Sequence, residues 1–297
     1  MPKKHSRRSA IKSFVAGTAA LGTAAILPSY ALSENKIQNK SSLKGNINHS
    51  VCQWTYGFLS LDDLCKVVKQ IGFSAIDLLG PKDWPTIQQY GIYSSMCYHG
   101  GTVSLTDGFN DKKFHDQLVK EYLDVFPLMV KAGYKDVICF SGSRRGMDDE
   151  TGLKNCVDGL KRILPGAEKN GLTVHMELLN SKIDHKDYMC DRTPWGVELC
   201  KRIDSPNFRL LYDIYHMQID EGDVIRTIKQ NVQYLGHYHT GGVPGRNEID
   251  QSQELYYPAI MKAILETGYK GYVAQEFIPA APDKVASLKK AVETCDV

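Results

Sequence analysis

The chain has 297 residues, with 36 lysines and arginines against 34 acidic residues and a formal charge of +2. That balance, without a basic stripe, leaves no electrostatic footprint for nucleic acid. The length suits one large core of (β/α)8-barrel size, typically about 250 residues.

In chain order, residues 1–31 read as an address and not as part of a fold. Ser6-Arg7-Arg8-Ser9-Ala10-Ile11-Lys12 carries paired arginines, an apolar stretch runs from Phe14 to Leu27, and Ser29-Tyr30-Ala31 offers a small-x-small cleavage site. The stretch is too short and too glycine-rich to span a membrane. These features predict a twin-arginine (Tat) signal cut after Ala31, the Tat export machinery as a partner, and a periplasmic location. The segment holds five basic residues and no acidic ones, so the remaining 266 residues carry three more acidic than basic side chains. Residues 32–47 are polar and aperiodic and are expected to form a tether, with order beginning near His49.

From residue 48 to 297 short apolar runs alternate with longer amphipathic ones, the pattern of repeated βα units around a parallel sheet. Strands are predicted at 49–54, 74–79, 92–97, 136–141, 173–178, 208–213, 234–239 and 271–276. Helical patterns cover Leu61 to Ile71, Lys112 to Ala132, Leu153 to Asn170 and Tyr257 to Thr267, and Gly133, Gly171 and Gly268 stand where left-handed caps belong. Eight strands in this rhythm predict a single α/β domain, a (β/α)8 TIM barrel, with a doubly wound open sheet as the structural alternative. The eight cysteines are scattered without CxxC spacing and are expected to be core thiols, not disulfides or a cysteine metal site.

In such a barrel the chemistry sits at the carboxyl ends of the strands. The polar residues there are Glu177, Asp213, His239 and Glu276, closing strands five to eight. Three carboxylates and an imidazole suit a divalent metal, Mn²⁺ or Mg²⁺, with Zn²⁺ and Co²⁺ also able to bind. His237 lies two residues before His239 and points the same way, so only one of them need be a ligand. Arg246, beyond a glycine-rich turn after strand seven, is placed to grip a carboxylate or vicinal hydroxyls, with Glu248 to orient it. His216, on the loop above strand six, and His99, after strand three, are candidate substrate contacts. Trp54 and Tyr56 offer an apolar wall, and Arg144-Arg145 a positive patch opposed by Asp148, Asp149 and Glu150.

Several stretches resemble hydroxypyruvate isomerase, within the xylose isomerase-like TIM barrel superfamily: Met176 to Ser181 (MELLNS), Tyr212 to Gln218 (YDIYHMQ), Pro244 to Glu248 (PGRNE), Gln275-Glu276-Phe277 and the loop Ser141 to Met147. The likeness covers roughly residues 50 to 290. It implies a pair of proton-exchanging glutamates, matched by Glu177 and Glu276, acting on hydroxypyruvate or a related small sugar or hydroxy-keto acid through an enediolate. His239 stands where that family carries an amide, whereas the related ketose 3-epimerases carry histidine. The resemblance therefore leaves ketose epimerisation open, along with a non-catalytic periplasmic sugar-binding barrel and assembly as a homo-oligomer.

If Arg7 and Arg8 are the export address, changing both to lysine strands the precursor in the cytoplasm. Cell fractionation reads this directly, and normal processing of the double variant would contradict the twin-arginine reading.

Overall fold

A computed structural model describes residues 43–102 and 104–297. The expected signal segment and the first part of the tether lie outside the described residues.

Eight parallel strands form the sheet: β1 Asn48–Val51, β2 Ala75–Leu79, β3 Tyr93–Cys97, β4 Asp136–Cys139, β5 Thr173–Glu177, β6 Phe208–Asp213, β7 Leu235–Thr240 and β8 Tyr272–Gln275. Each pairs with its neighbour in sequence from β2 to β8, and β8 pairs with β1. An isolated parallel bridge between Cys52 and Asp77 brings β1 and β2 together and brings the sheet round into a barrel. The open-sheet alternative fails on this pairing. Seven of the eight predicted strands lie within two residues of their observed bounds at either end, because the buried parallel strands are apolar throughout and their ends coincide with composition breaks; the first, expected to run to Trp54, stops at Val51, before the 3-10 turn Gln53–Tyr56.

Helices cover the outside of the sheet. Leu61–Ile71 starts at Ser60, whose side chain accepts the Asp63 N–H, and stops at Gly72. The three predicted cap glycines all lie in left-handed backbone, with φ of 81° at Gly133, 63° at Gly171 and 79° at Gly268. One helix expected from Leu153 to Asn170 is two, Asp149–Leu160 and Leu164–Lys169. Pro165 is the cause: it has no N–H for the carbonyl four residues back and its ring collides with that turn.

Order also begins earlier than expected. Leu43 packs against the core, Ile47 is buried, and the Lys44 N–H donates to Asp296 Oδ2 at 2.7 Å, so the last five residues of the expected tether belong to the barrel. All eight cysteines are buried and unpaired, in keeping with a core role.

Candidate functional site

Glu177 and Asp213 are the last residues of β5 and β6, His239 is the last but one of β7, and Glu276 follows β8 directly. Parallel register sets Asp213 beside His239, and the Glu276 N–H donates to Thr240 O at 3.1 Å, which levels the end of β8 with β7. One potential ligand atom from each of the four side chains falls within 4.8 Å of the others, and all four residues are buried.

His239 sits at the centre. Its Nδ1 is 2.7 Å from Glu276 Oε2 and 3.1 Å from Glu177 Oε1, while Nε2 is 2.9 Å from Asp77 Oδ2. Arg246 is the second cation, with Nη2 at 2.5 Å from Glu276 Oε2 and 3.0 Å from Asp213 Oδ2. The electrostatics follow from these contacts. Burial pushes the Glu177 carboxyl above its ordinary value, with the negative charge of Glu276 adding to it and His239 opposing. Burial acts on Glu276 too, but His239 and Arg246 outweigh it and hold that carboxyl well below the usual range, helped by the Trp54 Nε1–H at 2.7 Å. Burial disfavours charge on His239, yet Glu276 and Asp77 keep its imidazolium well above the ordinary value.

His216 lies in the first turn of the helix Ile214–Asp220 and is fully buried, not on a loop as expected. Asp213 explains the correction: its side chain accepts the His216 N–H at 3.1 Å, capping the helix the moment the strand ends. Asn180 orients the ring. Its Oδ1 accepts the N–H groups of Ile183 and Asp184, and its Nδ2 lies 2.6 Å from His216 Nδ1. On the other side of the ring, Nε2 is 3.0 Å from Arg246 Nη1, a group that can only donate, and 3.6 Å from Asp213 Oδ2. Burial and the Arg246 charge keep this imidazole neutral, well below its usual pKa. Arg246 itself has left-handed backbone, φ 58°, a conformation costing an arginine on the order of 1 kcal/mol. Its guanidinium lies 5.4 Å from the Trp54 ring and 5.2 Å from that of Tyr215.

The donor set fits a hard divalent ion. Three carboxylates and one imidazole converge with no thiolate among them, and their combined negative charge exceeds what Arg246 and His239 offset. Other expected contacts are engaged elsewhere. His99 Nδ1 accepts the Gly101 N–H at 3.0 Å and faces Glu121 at 3.4 Å, with its ring against Tyr122. Glu248 does not orient Arg246; its Oε1 accepts from the Ala280 and Ala281 N–H groups and the Ser287 hydroxyl, pinning the segment after β8. Tyr56 is buried with its hydroxyl on Lys284 O, so only Trp54, half exposed, remains as a wall. Arg144 pairs with Asp149 and Asp191, and Arg145 with Asp107, so their charge is consumed locally.

The profile described as xylose isomerase-like TIM barrel matches residues 65–294. The chain belongs to that family. The 2-oxo-tetronate isomerase of Cupriavidus necator is 36% identical over 115 residues, 39% of this chain and 44% of that protein. The chain spans less than half the length of the first curated relatives it matches. A Drosophila melanogaster protein provisionally named hydroxypyruvate isomerase is 38% identical over 235 residues, 74% of this chain and 86% of that one. Among solved structures, the 3-keto-D-glucoside 4-epimerase of E. coli superposes with a TM-score of 0.70 at 18% identity, over 84% of this chain and all of that one. A family 2 AP endonuclease of Brucella melitensis does so at 0.71 and 21%, over 82% and 96%. Likeness to proteins of such different chemistry establishes the shared barrel and nothing finer.

Sequence reasoning missed Asp77, Asn180 and the polar role of Trp54. Asp77 carried a usable signal, a carboxylate inside the apolar run Ser74 to Leu79; Asn180 and Trp54 had none beyond their place after strand ends.

Asp213 yields a test in metal-free protein. Burial holds its carboxyl up at about 7 against an ordinary 3.8, with Arg246 pulling the other way. Between those values the folded state keeps a proton that the unfolded chain has released, so the contribution of Asp213 to stability falls as pH rises. Buried neutral histidines such as His49 and His216 act in the opposite sense, so the comparison must be with Asp213→Asn. The variant should gain on the wild type in melting temperature as pH climbs through this window, and a constant difference would contradict the assignment.

Proposed function

We propose that the protein is a metal-assisted isomerase of small sugar-like substrates, hydroxypyruvate or a related short sugar or hydroxy-keto acid, which moves a proton between adjacent carbons with Glu177 and Glu276. The observation that carries this is the placement of two glutamates in one buried four-donor cluster beside a neutral histidine. The names borne by the Cupriavidus and Drosophila relatives support the same class.

Moving a carbonyl along a carbon chain requires a C–H proton to leave, giving an enediolate, and a proton to return at the neighbouring carbon. A bound Mn²⁺ or Mg²⁺ supplies a Lewis acid that polarises the carbonyl. Glu177, Asp213, His239 and Glu276 are the residues that would hold it. Glu177 and Glu276, biased toward the ionised state by such a cation, are the groups that would take the proton and return it, with Glu276 fixed by the Trp54 Nε1–H. Arg246 supplies donors for substrate oxygens, and burial of the cluster keeps bulk water from the carbanion-like intermediate.

Epimerisation of a ketose is the second reading, favoured by His239, the residue that resembles the epimerase branch, and by 26% identity over 200 residues to the D-psicose 3-epimerase of Ruminiclostridium cellulolyticum. The two share one intermediate and differ in product. We place the activity in the periplasm on the strength of the Arg7-Arg8 segment.

Glu177→Gln and Glu276→Gln keep side-chain shape but remove a proton acceptor, so each should lose at least about 10²-fold in kcat. Manganese should still bind, more weakly. Because both groups serve one intermediate, the double variant should be scarcely worse than either single one. Near-normal turnover in both single variants would sink the two-glutamate mechanism.

A further inference from the structure

We infer that Asp77 is the positioning residue of His239, fixing the ring proton on Nε2 so that the Nδ1 lone pair is presented to the metal site; this rests on the reading of Glu177, Asp213, His239 and Glu276 as the ligand set.

Asp77 is a fully buried carboxylate in the middle of β2. Its Oδ2 lies 2.9 Å from His239 Nε2 and 3.0 Å from His237 Nε2, and its Oδ1 accepts the Ser95 hydroxyl. Ser95 is in turn 2.5 Å from the Ser50 hydroxyl. A carboxylate with these partners has only acceptors to offer, so both histidines must donate from Nε2. For His239 this leaves Nδ1 as the sole ring atom able to coordinate, and Nδ1 is the atom that faces Glu177 and Glu276. A carboxylate behind a metal-bound histidine both orients the ring and makes it a stronger donor.

The backbone gives independent support. The β2–β3 register shifts on both sides of Asp77, between Ile76 and Asp77 and again before Leu79. Leu78 lies at φ 62°, in left-handed backbone that a leucine rarely adopts. Irregularities of this kind re-aim a side chain at the cost of local strain. Here they carry Asp77 to the bridge with Cys52 and under His239.

The probe is Mn²⁺ alone, titrated into metal-free protein and followed by electron paramagnetic resonance of the free ion. Asp77→Asn should weaken binding about 10- to 100-fold, while Ser95→Ala, which removes one donor to Asp77 and leaves the His239 pair, should lower the melting temperature without that loss. Asp213→Ala is the benchmark for the ligand set itself. Unchanged affinity in Asp77→Asn beside a loss in Asp213→Ala overturns the role of Asp77 alone. Unchanged affinity in both overturns the ligand set, and the inference with it. In the unmutated, Mg²⁺-loaded protein, ¹⁵N NMR should show His239 with a protonated Nε2 and an unprotonated Nδ1, and the reverse tautomer would refute the proposal even where Asp77→Asn fails to fold. Two Mn²⁺ per chain, falling to one in Cys52→Ser, would instead make Cys52, Asp77 and His239 a second site and would equally overturn it.

Discussion

Four carboxylates, Asp77, Glu177, Asp213 and Glu276, are buried together in the barrel around the His239 imidazole and the Arg246 guanidinium. Two like charges about 4 Å apart repel by about 4 kcal/mol at an effective dielectric of 20, so the arrangement stands only where cations are interleaved with it. His239 touches three of the four, and Arg246 reaches Asp213 and Glu276. The rest of the molecule keeps these six groups at fixed separations. The barrel supplies ends of parallel strands at one level, and the loop after β7 bends an arginine back over them.

The same constraint explains why the site's own electrostatics are uneven. Glu276 has two cations and an indole N–H, whereas Glu177 has His239 and must share it. One glutamate is thereby held ionised while the other is raised. His216 stays neutral for a related reason: it is buried beside the Arg246 charge.

Much of this was legible before any coordinates. Apolar runs that end in Glu177, Asp213, His239 and Glu276 announce both the barrel and the rim that carries chemistry, because in parallel sheets the strands are apolar along their length and their polar termini stand out. Asp77 stood in plain view inside such a run, but periodicity treats a single charge in a strand as noise. Its meaning depends on a register shift that only the folded sheet contains. Glu248 and Tyr56 failed for a different reason: adjacency in sequence to Arg246 and Trp54 says nothing about where a loop turns, and both side chains point to the segment after β8. The break at Pro165 was readable from the proline itself, and the helical periodicity on either side concealed it.

The account stands or falls on proton transfer at carbon. The purified protein, loaded with Mn²⁺ or Mg²⁺ and incubated in D₂O with hydroxypyruvate and a panel of three- to six-carbon sugars, should place deuterium on a carbon next to the carbonyl of at least one compound, read by NMR. Isomerised or epimerised product carrying that label is the result expected. Product formed with no deuterium at carbon would contradict an enediolate formed in exchange with solvent, and binding of a sugar with neither product nor label would make this a receptor and not a catalyst.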